Sequence, residues 1–305
     1  MLVVSKAAVA KALGAGLIAT AAAVGSLAAL HSPGGGFVYG TDSGKMTVAG
    51  DGPYQEPVVG GPYNGYMGMA GNWARSEGCT TGDFLAWSPA NAGQANSNYV
   101  RYHTGVGTGV YWYMGGPGVD PHWNGTTTEA YSWGEQQAAW TLAFVFSRYI
   151  PYPVIWADIE MPEVAPAPDN GWNDVYSTPC SGHVVQSYIP AAVDRAEFNG
   201  FAAYITSHSA YHVGVYSAPQ IWTAIFGTGV DSLIPNTYEW TYWEATSSLS
   251  QAPTGWCLRG KGGCARFFGG QTYSDKYALM WQWSGGGGVV NGHGDFDQID
   301  DARMG

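Results

Sequence analysis

The sequence predicts an α/β protein built as a TIM-type (β/α) barrel of irregular outline, with helices after the early strands and few or none around the last three. Three observations predict it. Eight short strand-like runs recur along the chain. Helical spacing falls between several of the earlier runs and not between the later ones. One run, Val154-Ile155-Trp156-Ala157-Asp158-Ile159-Glu160, ends in two carboxylates. Strand alternation puts Asp158 and Glu160 on one face, about 7 Å apart along the chain, and leaves Ile155, Ala157 and Ile159 on the other. An apolar back and an acidic tip suit a barrel strand, whose C-terminal end carries the chemistry.

The elements follow in order. Lys6 and Lys11 precede an apolar run, Ala12 to Leu30, with Ser26-Leu27-Ala28 and then Pro33-Gly34-Gly35-Gly36 after its centre. Residues 1–35 therefore read as a secretory signal peptide cut near Ala28 or Ala29. The rival is an uncleaved signal anchor, since the run is nearly long enough to span a bilayer; the weak hydrophobicity of Ala and Gly favours cleavage. Residues 36–65 are rich in Gly and Pro and read as an extended lead-in. A single barrel domain is expected over 66–305. Its strands are expected at Tyr66–Ala70, Phe84–Trp87, Gly109–Met114, Val154–Glu160, His212–Tyr216, Tyr238–Ala245, Ala278–Ser284 and Asp295–Ile299. Helices are expected at Glu135–Arg148 (stripe Ala139, Leu142, Ala143, Phe146), at Ala191–Ser207 (stripe Val193, Ala196, Phe201, Ile205) and at Ile221–Phe226. The segment Thr246–Lys276 is rich in Gly, Ser and Cys and supplies no convincing helix.

Composition narrows the function. Of 305 residues, 14% are aromatic and only 11% charged, and the net charge is -11. Such a surface is built from Gly, Ser, Thr, Asn and aromatic faces, which suits an extracellular protein handling neutral polymers such as glycans. The negative charge argues against nucleic acid and anionic membranes as partners. A membrane enters only if the N-terminal segment is uncleaved.

Four cysteines in an exported chain suggest two disulfides. Cys257 and Cys264 bracket a short Gly-rich segment, so a local bridge is expected, and Cys79 to Cys180 follows by elimination. Cys180-Ser181-Gly182-His183 is a lone C-x-x-H without the second pair a zinc site needs. His208 and His212 lack the Glu of H-E-x-x-H, and Gly214-Val215-Tyr216-Ser217-Ala218 is not a G-x-S-x-G elbow. Gly285–Gly288 has no Lys-Ser/Thr after it and reads as a loop. No metal and no cofactor is expected.

Asp158-Ile159-Glu160, then Gly214-Val215-Tyr216-Ser217 with Trp222 after it, then Trp281-Gln282-Trp283 and an Asp-rich last strand, resemble the glycoside hydrolase family 25 lysozymes. They resemble equally the actinobacterial glycoside-hydrolase-like barrel domains. The resemblance spans Tyr66 to Asp300. It implies a secreted or wall-associated enzyme that cuts the β-1,4 bond after N-acetylmuramic acid in peptidoglycan. By that resemblance Glu160 is the general acid, with a pKa raised by its surroundings. Asp158 is the ionised partner that stabilises the anomeric centre or orients the substrate acetamido group. Asp297 matches the acid of the final strand, and Asp295 shares its parity.

Around that pair, Trp112 is a candidate sugar platform, Tyr216 a candidate donor to an acetamido carbonyl, Trp243 and Trp281 candidate stacking walls, and Gln282 a candidate polar contact. One departure stands out. The family's first strand ends with an aspartate facing the site, whereas the run Gly65–Asn72, taken as the first strand, holds no acid. Asn72 is the candidate substitute. The alternatives to a working glycosidase are a catalytically weak or inactive glycan-binding barrel, or a membrane-tethered structural subunit.

Overall fold

The computed structural model describes residues 38–43, 65–72, 108–120, 122–148, 153–160, 171–172, 188–227, 237–242, 280–284 and 295–299. Eight strands close a barrel in chain order: β1 (Val38–Ser43), β2 (Gly65–Asn72), β3 (Thr108–Tyr113), β4 (Val154–Asp158), β5 (His212–Ser217), β6 (Tyr238–Tyr242), β7 (Met280–Ser284) and β8 (Asp295–Ile299). Pairs from β1 through β7 are parallel. β8 is antiparallel to both β7 and β1. A wholly parallel barrel was the expectation, and the short link corrects it. Residues 285–294 are too few for the crossover that a parallel neighbour needs, so the chain turns back.

The first strand is the second correction. β1 lies inside the stretch read as a lead-in, and Tyr66–Ala70 belongs to the second strand of the barrel. β1 therefore opens the sheet with the sequence Val-Tyr-Gly-Thr-Asp-Ser, and it contains Asp42. The expected strand at Phe84–Trp87 lies outside the described residues, as do the four cysteines, Trp243 and residues 1–35.

Three helices cover the early strands: α1 (Thr127–Arg148), α2 (Ala191–His208) and α3 (Pro219–Phe226). α1 starts eight residues before the expected Glu135. The expected stripe is corrected as well: Ala143 and Phe146 are exposed, and the buried face carries Gln137, Ala138, Thr141, Leu142, Phe144 and Val145, while the helix start is set by a polar cap. The Glu129 N–H donates to Thr126 Oγ1 (3.2 Å), and Asn124 Oδ1 accepts from the Thr126 N–H (3.0 Å). Among the described residues no helix follows β6, and none is long and apolar enough to cross a membrane.

Parity divides the core into two layers. Val110, Ile155, Ala157, Val213 and Val215 are buried on the outer side of the sheet, with Phe198, Phe201 and Ile205 of α2 in the same core. The other parity fills the lumen. Tyr111, Trp156 and Tyr216 all meet the Trp240 ring, at centroid distances of 6.0, 5.7 and 4.7 Å. β3 and β6 are not neighbours, so the Tyr111–Trp240 contact crosses the barrel. Gly214 is in register with Trp156, and a Cβ there would run into the indole. One strand gives up its side chain so that its neighbour can place the largest one in the lumen. Truncating Trp156 to Ala would cost about 3–5 kcal/mol.

α1 and α2 approach unusually closely. A Cβ on Gly134 would collide with the Glu197 carbonyl, and one on Gly200 with the Tyr131 carbonyl. The two glycines thus face opposite backbones, and the helices rest main chain on main chain.

Candidate active site

The C-terminal end of β4 is held from both sides. Met114 N–H donates to the Asp158 carbonyl (2.9 Å) from the β3 side. On the β5 side, Ile159 N–H donates to the Tyr216 carbonyl (2.9 Å), and Ser217 Oγ donates to the Ile159 carbonyl (2.8 Å). These bonds close the last ladder pairs of β4, Tyr113 with Asp158 and Asp158 with Tyr216, and the strand ends there. Asp158 is buried at 6% exposure, while Glu160, one step nearer the mouth, is partly open. Asp158 thus stands on lumen parity at the C-terminal end of β4, and Glu160 follows two residues beyond it.

The later strands add polar groups. Tyr216, next to last in β5, is in register with Asp158, and its hydroxyl donates to Gln282 Oε1 across β6. Asp297 is fully buried and accepts a hydrogen bond from Trp240 Nε1 at 2.9 Å. Gln282 and Asp297 are in register, so Tyr216, Gln282, Asp297 and Trp240 form one cluster beside the acids. Asp295 is in register with Asp42 of β1. Asn72 ends β2 in register with Tyr113, after a register shift between Met69 and Gly71.

Two expected platforms lie elsewhere. Trp112 has the parity that faces the helices, and its Nε1 donates to Gln137 Oε1 of α1 (3.0 Å). Its neighbours Tyr111 and Tyr113 hold the lumen parity, with Tyr113 in register with Asp158. Trp281 is fully buried and in register with Thr241 and Gln298, one parity away from Gln282. A ring without an open face cannot stack on a sugar. Both positions alternate with site candidates, and alternation alone does not tell which parity is inward.

Sequence reasoning missed three features. Asp42 was hidden in a short Gly-flanked strand. Trp240, central to the lumen, was overlooked beside Trp243, although its parity with Tyr238 and Tyr242 was readable. The third is a group of buried acids, Asp120, Asp194 and Glu197, at the α1–α2 seam. Burial pushes the Asp120 carboxyl up to about 7, against the His122 N–H that donates to its Oδ1 (2.8 Å), and Glu129 pushes it further the same way. Burial also raises Glu197 well above the usual carboxylate range, and Asp194 adds to this. Gln137 opposes the shift on Glu197 through its hydrogen bond. Among the described residues no three His, Cys, Asp or Glu side chains are arranged to share a metal ion.

The fold and the acid pair define an irregular (β/α) barrel with carboxylates at its mouth. Solved structures of that kind match most of this chain. A family GH25 lysozyme from Aspergillus fumigatus matches at 16% identity over 86% of this chain and 93% of its own, with a TM-score of 0.43. A bacterial lysozyme from Streptomyces coelicolor matches at 16% identity over 88% and 94%, with a TM-score of 0.42. The modular autolysin LytC from Streptococcus pneumoniae, in complex with a synthetic peptidoglycan ligand, matches at 14% identity over 86% of this chain and 46% of that one, with a TM-score of 0.46. No family model and no curated protein matches the sequence.

Proposed function

We propose that this chain is a secreted glycoside hydrolase acting on cell-wall glycan, with Glu160 as general acid and Asp158 as its ionised partner. The observation that supports the reading is the β4 end, where Asp158 has lumen parity and the more exposed Glu160 follows it by two residues. Glu160, the more open of the two, is placed to meet the leaving oxygen of a sugar chain lying across the mouth. It donates its proton to that oxygen as the bond to the anomeric carbon breaks. Water then supplies the hydroxyl to the anomeric carbon and returns a proton to the carboxylate. Asp158, deeper and ionised, stabilises the positive charge that develops at the anomeric centre, or holds the acetamido group for attack. Tyr216, Gln282 and Asp297 form the polar wall that orients the ring.

Asp42 supports the catalytic reading over the inert one. The first strand of the barrel carries an acid, Asp42, in register with Asp295, and the resemblance to family 25 gives the first strand an aspartate. The peptidoglycan substrate, the export of the chain and its association with the wall belong to the same proposal.

The test is digestion of purified peptidoglycan by the mature protein beside Glu160→Gln, with soluble fragments read by mass spectrometry. Muropeptides with reducing N-acetylmuramic ends, absent with the variant, are expected. No fragments from either protein would sink the muramidase reading, and retention on insoluble wall in that case would favour a binding barrel.

A further inference from the structure

We propose that Gln137 is a positioning residue: its amide clamps the Gly115 peptide and so fixes the rim that holds the Asp158 end of β4. The proposal rests on the reading of Asp158 and Glu160 as the reacting acids.

The chain leaves β3 through Met114-Gly115-Gly116-Pro117. Two successive glycines give this exit little stiffness of its own, because glycine has the most conformational freedom to lose. It is nevertheless anchored at three consecutive residues. Met114 N–H donates to the Asp158 carbonyl (2.9 Å). Gly116 packs so tightly on Gly171 that a Cβ would collide with its backbone, and Gly118 N–H donates to the Gly171 carbonyl (3.1 Å). Between these two anchors, Gly115 is held by a side chain from α1.

Gln137 is fully buried. Its Oε1 accepts from Gly115 N–H (3.0 Å) and from Trp112 Nε1 (3.0 Å). Its Nε2 donates to the Gly115 carbonyl (2.9 Å) and to Glu197 Oε1 (2.8 Å). A primary amide has two donors and an oxygen with two lone pairs, and every one is used here. The pattern also fixes the orientation of the amide. Rotated by half a turn, it would set oxygen against two oxygens and N–H against two N–H groups. Both polar groups of Gly115 are thus satisfied by one side chain, as a neighbouring strand would do it. Trp133 Nε1 adds a further bond to the Gly115 carbonyl (2.9 Å).

Glu197 orients the clamp from α2, and the glycine contacts at Gly134 and Gly200 keep the two helices close enough for it to reach. Removing the amide takes the acceptor from Gly115 N–H and leaves its carbonyl to the Trp133 bond. Met114 and the Asp158 carbonyl it holds then lose their reference to the helix layer. Errors of this size at a reacting pair act on the chemical step more than on binding.

The test compares Gln137→Met, which removes all four bonds and keeps the length, with Glu197→Gln, which keeps a carbonyl for Gln137 Nε2. Ile205→Ala, buried in the same core but in the C-terminal half of α2, serves as a destabilised control. Gln137→Met is expected to speed Gly115 amide exchange at least about tenfold over the control and to shift the NMR titration of Asp158. Its kcat is expected to fall about 10- to 100-fold with little change in KM. Glu197→Gln should stay within about threefold of the unaltered protein. Gln137→Met that matches Ile205→Ala in exchange, titration and kcat would overturn the proposal. Should Gln137→Met not fold, the unaltered protein still decides. Slow, resolved exchange of the Gln137 side-chain NH2 protons supports the clamp, and exchange at the free rate overturns it. Exchange and titration need no substrate. An unaltered protein that cuts no peptidoglycan therefore fails the glycosidase reading without touching this one.

Discussion

Two regions of this molecule gather carboxyl groups, and they do it in opposite ways. At the barrel mouth, Asp158 and Glu160 come from one short stretch of chain, the last residue of β4 and the second residue after it. At the α1–α2 seam, Asp120, Asp194 and Glu197 come from two separate stretches of chain and are brought together by helices that touch main chain to main chain. The mouth grades from buried Asp158 to half-buried Glu160. The seam is closed, and burial holds Asp120 and Glu197 toward their protonated forms. Raised carboxyl pKa values are often taken to mark active sites, since catalysis uses them. Here the seam illustrates the structural alternative, in which a buried carboxyl serves a helix contact.

The sharpest way to break this contrast is to remove one acid from each region. Glu160→Gln should lower peptidoglycan hydrolysis about 10²- to 10⁴-fold, the usual contribution of a general acid, while leaving thermal stability nearly unchanged. Glu197→Gln should do neither harm, and because folding then no longer has to keep a proton that the unfolded chain releases, it should if anything raise the melting temperature at neutral pH. If hydrolysis, measured as release of reducing ends, fell with Glu197→Gln and survived Glu160→Gln, the roles of the two regions would be exchanged.

The seam also makes a claim about packing. Gly134→Ala and Gly200→Ala each push a methyl group into a facing carbonyl, and rigid backbone cannot give way as a side chain can. Each should cost about 1–3 kcal/mol, read as a lower denaturant midpoint. The same change at Gly214 meets the Trp156 indole instead and should cost a similar amount by spoiling the lumen. A Gly134→Ala protein of normal stability would mean the helices sit further apart than described.

Legibility followed the range of the signal. β4 was readable because its period of two, its apolar back and its acids all lie within seven residues. α2 was readable from its stripe, of which Val193, Phe201 and Ile205 are buried, whereas the stripe read for α1 missed its buried face, since Ala143 and Phe146 are exposed. β1 was not readable. Its six residues include Gly40, Thr41, Asp42 and Ser43, which resemble a turn locally, and its partner β8 lies at the far end of the chain. The clamp at Gln137 was equally hidden. Its partner Glu197 is 60 residues away, and a polar residue within an amphipathic helix usually faces water.

pH offers a milder probe of the same contrast. The ordinary carboxyl value for Asp120 is 3.8, and burial raises it to about 7 in the folded protein. The folded state therefore keeps a proton that the unfolded chain has released across that interval. This stabilisation is complete below about pH 4 and is lost as pH rises through 7. Glu197, raised by the same burial, contributes a loss of the same sign as pH rises. Asp120→Asn should flatten the fall in stability between pH 4 and 7 by an amount on the order of 2–4 kcal/mol, visible in denaturant titrations at several pH values. An unchanged slope would mean that Asp120 reaches solvent on unfolding no differently than it does when folded.

The smallest expected effect concerns the tryptophans. Trp240 and Trp281 are both buried, yet only Trp240 shares the lumen with the polar cluster, through its bond to Asp297. Trp281 lies one parity away, in register with Thr241 and Gln298. Replacing it with Phe leaves a void and should cost about 1–2 kcal/mol of stability. It should not alter affinity for insoluble wall by more than about twofold, because no sugar can reach the ring. A stacking platform lost to the same change would weaken binding roughly tenfold, the equivalent of about 1.4 kcal/mol. Trp240→Phe, by contrast, takes away the donor to Asp297 and should disturb hydrolysis while filling nearly the same space. If Trp281→Phe weakened wall binding and Trp240→Phe did not, the inward parity of the last strands would have to be reversed, and Gln282 and Asp297 would leave the site together.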